Sequence, residues 1–183
     1  MNNKQEIHPL FSDLSLWLFI YAISYAFFHI LPAFLRFDIK NGFMVAELFD
    51  LFTPFVMVIV VYKLYSILVT SARQESGVLN FLTMKIILIF GAVTFVEGHG
   101  MHLSANALAR LIDPSATPSL YSLNYFFDEV LGHILWDSGI IILSIGIILL
   151  GFKLNGDPAS KFRIIPIAVA SIVYGFTYFV NAV

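Results

Sequence analysis

Long apolar segments separated by short polar stretches are the first pattern visible along this chain. A transmembrane helix needs about 20 mainly apolar residues to cross the roughly 30 Å hydrocarbon core of a bilayer. Five segments meet that length and predict helices at about 14–35, 44–70, 81–103, 120–153 and 162–183. Proline, glycine and charged residues mark the connections, as at 113–118 and 155–158. The pattern predicts an all-α, polytopic integral membrane bundle in which residues 1–183 form one transmembrane domain, alone or within a larger bundle.

Composition favours the same class of protein. Hydrophobic residues make up 59% of the chain and charged residues only 12%, whereas soluble domains carry roughly 25% charged residues. A surface this poor in charge can face lipid but cannot cover a water-facing globule. The net charge of −2 gives no reason to expect a nucleic-acid partner. The absence of cysteine excludes disulfides, thiolate metal sites and a cysteine nucleophile.

Basic residues are divided unequally between the two predicted sides of the membrane. Because lysine and arginine favour the cytoplasmic side, we expect a cytoplasmic N-terminus. The seven on or near the N-terminal side are Lys4, Lys63, Arg73, Lys85, Lys153, Lys161 and Arg163, and the three on the other side are Arg36, Lys40 and Arg110.

Ionisable residues interrupt the third and fourth predicted helices near the same end. One charged group near the centre of a spanning helix costs on the order of 2.5–3.5 kcal/mol, so such residues usually have a partner or a function. Because the third helix runs outward and the fourth returns, both sets fall in the outer half of the bilayer. They are Glu97, His99 and His102 in the third helix, and Asp128, Glu129, His133 and Asp137 in the fourth.

Helical spacing sorts these residues into faces. Glu129, His133 and Asp137 are four residues apart and form one stripe on a regular helix. His99 and His102 share a face of the third helix, while Glu97 points away from both if the helix is regular. Gly98 and Gly100 allow a distortion there, or the close approach of another helix.

The residue types on these faces are those of a metal centre. Histidine and carboxylate, without cysteine, are typical ligands of zinc and of non-haem iron. We predict His99, His102 and His133 as metal ligands, with Glu129 or Glu97 as the fourth ligand or general base, and Asp137 as a residue that orients a histidine. The catalytic candidates are therefore Glu97, Glu129 and Asp137.

Four other residues have simpler interpretations. Glu47 and Asp50 share a face near the outer end of the second helix, where solvent makes charge less costly. Asp128 begins a buried segment and is interpreted as serving a helix N-terminus. Trp136 shares the face of His133 and is interpreted as a packing residue.

The sequence predicts a metal-dependent membrane enzyme, a hydrolase or oxidoreductase, that uses a divalent metal such as zinc or iron. A site in the outer half of the bilayer favours a lipid or another apolar molecule as substrate, and membrane lipids as partners. Three alternatives stay open. The buried histidines and carboxylates suit a proton, ion or solute transporter, although the inner halves hold few ionisable groups. Two histidines suit a haem b electron carrier, and the polar residues also suit a purely structural membrane subunit.

Overall fold

Six α-helices and a short hairpin follow one another in the computed structural model, which describes residues 4–30, 34–35, 37–40, 43–72, 78–153, 169 and 172. Strands β1 (Asp38–Lys40) and β2 (Phe43–Met44) form an antiparallel hairpin. Two π-helical segments lie at Ala26–Ile30 and Phe126–Gly132. The helices are α1 (Lys4–Tyr25), α2 (Val45–Asp50), α3 (Thr53–Ala72), α4 (Val78–Ala109), α5 (Pro118–Tyr125) and α6 (His133–Lys153).

Three helical stretches of the described chain are long and apolar enough to cross a membrane. They are Val45–Thr70, Phe81–Ala109 and Pro118–Leu150, and a shorter apolar stretch, Ser12–Phe28, belongs to the first helix. These stretches support the prediction of a mostly helical membrane protein. The prediction of five spans is not confirmed, since the stretch Ser12–Phe28 is shorter than a membrane-spanning helix. The fifth predicted helix, 162–183, lies outside the described residues apart from Val169 and Ile172.

A turn at Leu51 and Phe52 divides the second predicted helix into α2 and α3. Pro54 accounts for the break, because it has no N–H to donate to the Asp50 carbonyl and its ring crowds that carbonyl. The Thr53 hydroxyl donates a hydrogen bond of 3.0 Å to Asp50 Oδ1 across the turn. Asp50 is therefore held at the end of a short helix of its own. The β-hairpin before α2 was not predicted, because strands of three and two residues are too short for an alternating pattern.

The bundle has two chemically different ends. We call the end that carries β1, β2, α2 and α5 the hairpin end. α4 runs antiparallel to both α3 and α6, and α1 packs on α3. At the opposite end the buried core is mainly apolar. It includes Leu64 and Leu68 of α3, Leu88 of α4, and Leu143 and Leu150 of α6.

Glycines allow α4 and α6 to lie almost backbone to backbone. A Cβ atom on Gly98 would lie 2.2 Å from the backbone nitrogen of Trp136, and a Cβ atom on Gly139 would lie 2.4 Å from that of Phe95. Small residues at such positions are the usual route to close packing between membrane helices. The expected close approach at Gly98 is thus present. At Gly100 a Cβ atom would meet nothing within 4 Å.

Gly98 and Gly100 form a matched pair for testing this contact. We expect Gly98→Ala to destabilise the protein by about 1–3 kcal/mol, because a methyl group would force α6 away from α4. Gly100→Ala should be neutral or stabilising by up to about 1 kcal/mol, the usual gain in helix propensity. Thermal unfolding in detergent, followed by circular dichroism, measures both. Equal melting temperatures for the two variants would contradict the close contact at Gly98.

Candidate functional site: three histidine–carboxylate pairs

Three histidines at the hairpin end each lie against a different carboxylate. The pairs are His99 Nε2 with Asp50 Oδ1 at 3.1 Å, His102 Nδ1 with Asp128 Oδ1 at 2.6 Å, and His133 Nδ1 with Glu129 Oε2 at 3.4 Å. The carboxylates come from α2 and the second π-helical segment, so four neighbouring elements supply the site. An ionised acceptor strengthens a hydrogen bond to an imidazole and orients its ring.

Trp136 joins the three histidines into one cluster. Its ring centroid lies 4.8 Å from that of His99, 5.3 Å from that of His102 and 5.8 Å from that of His133. The rings of His102 and His133 are 4.7 Å apart. Trp136 is a buried packing residue as predicted, and what it packs against is the candidate site itself.

The second π-helical segment, Phe126–Gly132, places Asp128 beside His102. A π-helical turn is wider than an α-helical one, so it changes the direction in which its side chains point, and such turns are frequent at functional sites. Our interpretation of Asp128 as a helix N-terminal residue missed this pairing. The prediction that Glu129, His133 and Asp137 form one stripe also assumed a regular α-helix. Glu129 does contact His133, but the two acids lie in different surroundings, since the Glu129 side chain is 46% exposed and Asp137 is 2% exposed.

Asp50 reaches His99 because α2 is fastened to the end of α4. Glu47 of α2 accepts a hydrogen bond of 2.7 Å from the Met44 backbone N–H and forms an ion pair with Arg110. Glu47 is buried, so the solvated face that we predicted for Glu47 and Asp50 is wrong. The signal that could have found the pairing is Arg110, the basic residue at the end of α4 nearest these two acids.

The remaining catalytic candidates, Glu97 and Asp137, lie in contrasting places. Glu97 is on the exposed face of α4, and the described contacts do not bring it to any of the three pairs. Asp137 is buried in α6 and close enough to His102 for their charges to interact. The structure therefore gathers Asp137 and Glu129 with the histidines and leaves Glu97 outside.

Within the described residues, no three histidine, aspartate or glutamate side chains are grouped so that they could hold a metal ion. The four predicted ligands His99, His102, His133 and Glu129 are near one another but separately engaged, since His99 faces Asp50 and His102 faces Asp128. A bound divalent metal stays a prediction.

The acceptors around two of the histidines determine which ring nitrogen can act as a base. The Glu129 backbone carbonyl lies 3.1 Å from His133 Nδ1, and since a carbonyl can only accept, Nδ1 must carry the hydrogen. The Asp128 carboxylate oxygen Oδ1 lies 2.6 Å from His102 Nδ1, and its negative charge favours a hydrogen on that ring nitrogen as well. Nε2 is then the basic nitrogen of each neutral ring.

Exposure separates the two histidines that can react from the third. The side chains of His102 and His133 are each 16% exposed, while that of His99 is completely buried. Only the first two can therefore exchange a proton with a bound molecule without a rearrangement of the bundle. His99 fills the space between Asp50, Phe95 and Trp136.

Comparisons with protein-family models, curated protein sequences and solved structures find no match for this chain. Its function is therefore inferred from the histidine–carboxylate pairs and from their position at one end of an apolar bundle.

Proposed function

We propose that this chain is an integral membrane enzyme that performs acid–base chemistry on a lipid or another apolar substrate. The observation that carries the proposal is the contact of 2.6 Å between His102 and Asp128, with the His133 ring beside it. A histidine held by a carboxylate is the usual arrangement of a general base, because the carboxylate fixes the tautomer and stabilises the imidazolium that forms.

Hydrolysis is the reaction that these two rings support best. Nε2 of His102 removes a proton from water while the water oxygen bonds to an electrophilic carbon of the substrate. The bond from that carbon to the leaving group then breaks, and Nε2 of a protonated His133 donates a proton to the leaving group. The adjacent rings allow the proton on His102 to return to His133 afterwards. General acid–base catalysis of this kind typically contributes about 10²–10⁴-fold to the rate.

The position of the cluster favours a site with one entrance over a transmembrane path. Leucines fill the opposite half of the described bundle, including Leu64, Leu88 and Leu143, and a proton or ion path needs polar groups along its whole length. A transporter is therefore the less supported alternative. The distribution of lysine and arginine supports an orientation with the hairpin end in the outer half of the bilayer.

The other two alternatives also have less support. A haem b between His102 and His133 would require the rings to stand apart on either side of it, whereas they contact each other. A purely structural role would make the pairs an expensive way to join helices that glycine contacts already join. Interhelical hydrogen bonds in membranes average only about 0.6 kcal/mol each.

Untargeted lipid analysis tests the enzymatic proposal. The purified protein is reconstituted in vesicles made from a total lipid extract, and lipid composition is followed by mass spectrometry. We expect one lipid class to be consumed and its hydrolysis product to appear. His102→Gln should lower that rate at least about 100-fold, the contribution of a general base. Asp113→Asn, in the exposed turn after α4, is the matched control and should leave it unchanged. Identical lipid profiles for the native protein and His102→Gln would refute the proposal.

Elemental mass spectrometry tests the predicted metal ion separately. The prediction expects near-stoichiometric zinc or iron in protein purified without chelators, and its loss from a variant carrying His99→Ala, His102→Ala and His133→Ala, since histidine supplies most of the predicted ligands. A visible spectrum distinguishes haem iron from other iron. A native protein without metal would contradict the predicted metal ion and leave the proposed acid–base chemistry in place.

A further inference from the structure

Asp137 has a carboxylate oxygen that the described part of the chain leaves without a hydrogen bond. The residue is 2% exposed, and its Oδ2 atom accepts nothing from the other described residues. Leaving an ionised oxygen buried without a partner costs several kcal/mol in folded proteins. Asp137 follows Trp136 in α6 and lies within range of the charge of His102, so its unused oxygen belongs to the cluster and points to a missing donor or cation.

The cluster also contains more acidic than basic groups. Four carboxylates lie close enough to His102 for their charges to interact with it, and they are Asp50, Asp128, Glu129 and Asp137. Adding Glu47 makes five carboxylates, against three histidines and Arg110. Carboxylate groups therefore outnumber the basic groups of the cluster by one. A ligand that enters this site is therefore favoured if it carries a positive charge.

Exposure within the cluster decreases from Glu129 at the membrane-facing surface to the buried Asp137. Glu129 is the most exposed member of the cluster, and its neighbours Phe126 and Phe127 are exposed aromatic residues on the same π-helical segment. His102 and His133 come next in exposure, and Asp137 is the most buried carboxylate of the cluster. An apolar chain can lie along the phenylalanines while its polar head passes Glu129. Trp136, at the centre of the cluster, adds an aromatic ring that can attract a cation.

We infer that the ligand of this site is a lipid-like molecule with an ammonium head group, which Asp137 and Glu129 bind by charge and hydrogen bonds. The inference rests on the proposed function and specifies its substrate class. Asp137 supplies the innermost acceptor through Oδ2, and an N–H of the ammonium group donates to it. A neutral hydroxyl head group can donate a hydrogen bond to that oxygen but brings no positive charge, and an acidic head group adds a further negative charge.

Tryptophan fluorescence gives a direct binding test. The chain has two tryptophans, so Trp17→Phe leaves Trp136 as the single reporter inside the site. The variant, in a neutral detergent, is titrated with dodecylammonium, dodecanol and dodecanoate, which share one alkyl chain. We expect a saturable change in Trp136 fluorescence with the ammonium compound and at least about tenfold weaker binding of the other two, because a buried charge would lose its partner.

Substitutions then assign the binding to Asp137. Asp137→Asn in the same background should weaken dodecylammonium binding at least about tenfold. Asp113→Asn is the matched control, since Asp113 is exposed near the same end of the bundle and its pKa is lowered by local hydrogen bonds from Ser115 and from the Ala116 backbone N–H. It should bind as before. The selectivity among the three head groups needs no change in the cluster and stays decisive if Asp137→Asn does not fold.

Three outcomes would overturn the inference. Equal binding of all three compounds would mean that the site does not select a cation, and unchanged binding by Asp137→Asn would remove Asp137 from it. The third outcome concerns a metal. Dodecylammonium would fail to bind protein treated with a chelator, while zinc would give a saturable fluorescence change that Asp137→Asn abolishes. The cation at this site would then be a metal ion. If lipid turnover still depends on His102 in any of these cases, the proposed function stands and only the substrate class is wrong.

Discussion

The close contact between α4 and α6 is the constraint on which the rest of this structure depends. The absence of side chains at Gly98 and Gly139 lets the two backbones approach until a single Cβ atom would collide with the opposite helix. At that separation His102 of α4 contacts both His133 and Trp136 of α6. A wider spacing would separate these rings and leave their polar atoms facing an apolar interior, where an unpaired polar group is expensive.

The pairs of histidine and carboxylate make such a polar interior tolerable. Each carboxylate offers an ionised acceptor to one ring nitrogen, so the cost of burying both groups is partly offset by a charge-assisted contact. The short helix α2 supplies one of these carboxylates, because the ion pair of Glu47 with Arg110 holds Asp50 within reach of His99. The result is a polar cluster confined to one end of a bundle whose other end is filled by leucine.

Much of this arrangement could be predicted from the sequence, because hydrophobic length and the cost of buried charge act locally. These principles identified the long apolar helices and the members of the cluster on α4 and α6. The pairing could not be predicted, for physical reasons that differ between residues. Asp128 reaches His102 through a π-helical segment that a regular helical period does not include. Asp50 reaches His99 only because Pro54 breaks its helix and Arg110, far away in sequence, holds α2 in place.

Nuclear magnetic resonance of the His102 side chain tests the central claim most directly. In protein labelled with ¹⁵N-histidine and held in detergent micelles, a proton shared over 2.6 Å between His102 Nδ1 and Asp128 should resonate far downfield of ordinary imidazole protons. It should disappear in Asp128→Asn and persist in Asp113→Asn. A downfield proton that survives Asp128→Asn, or none in the native protein at any pH where it is folded, would contradict the pairing on which the proposed chemistry depends.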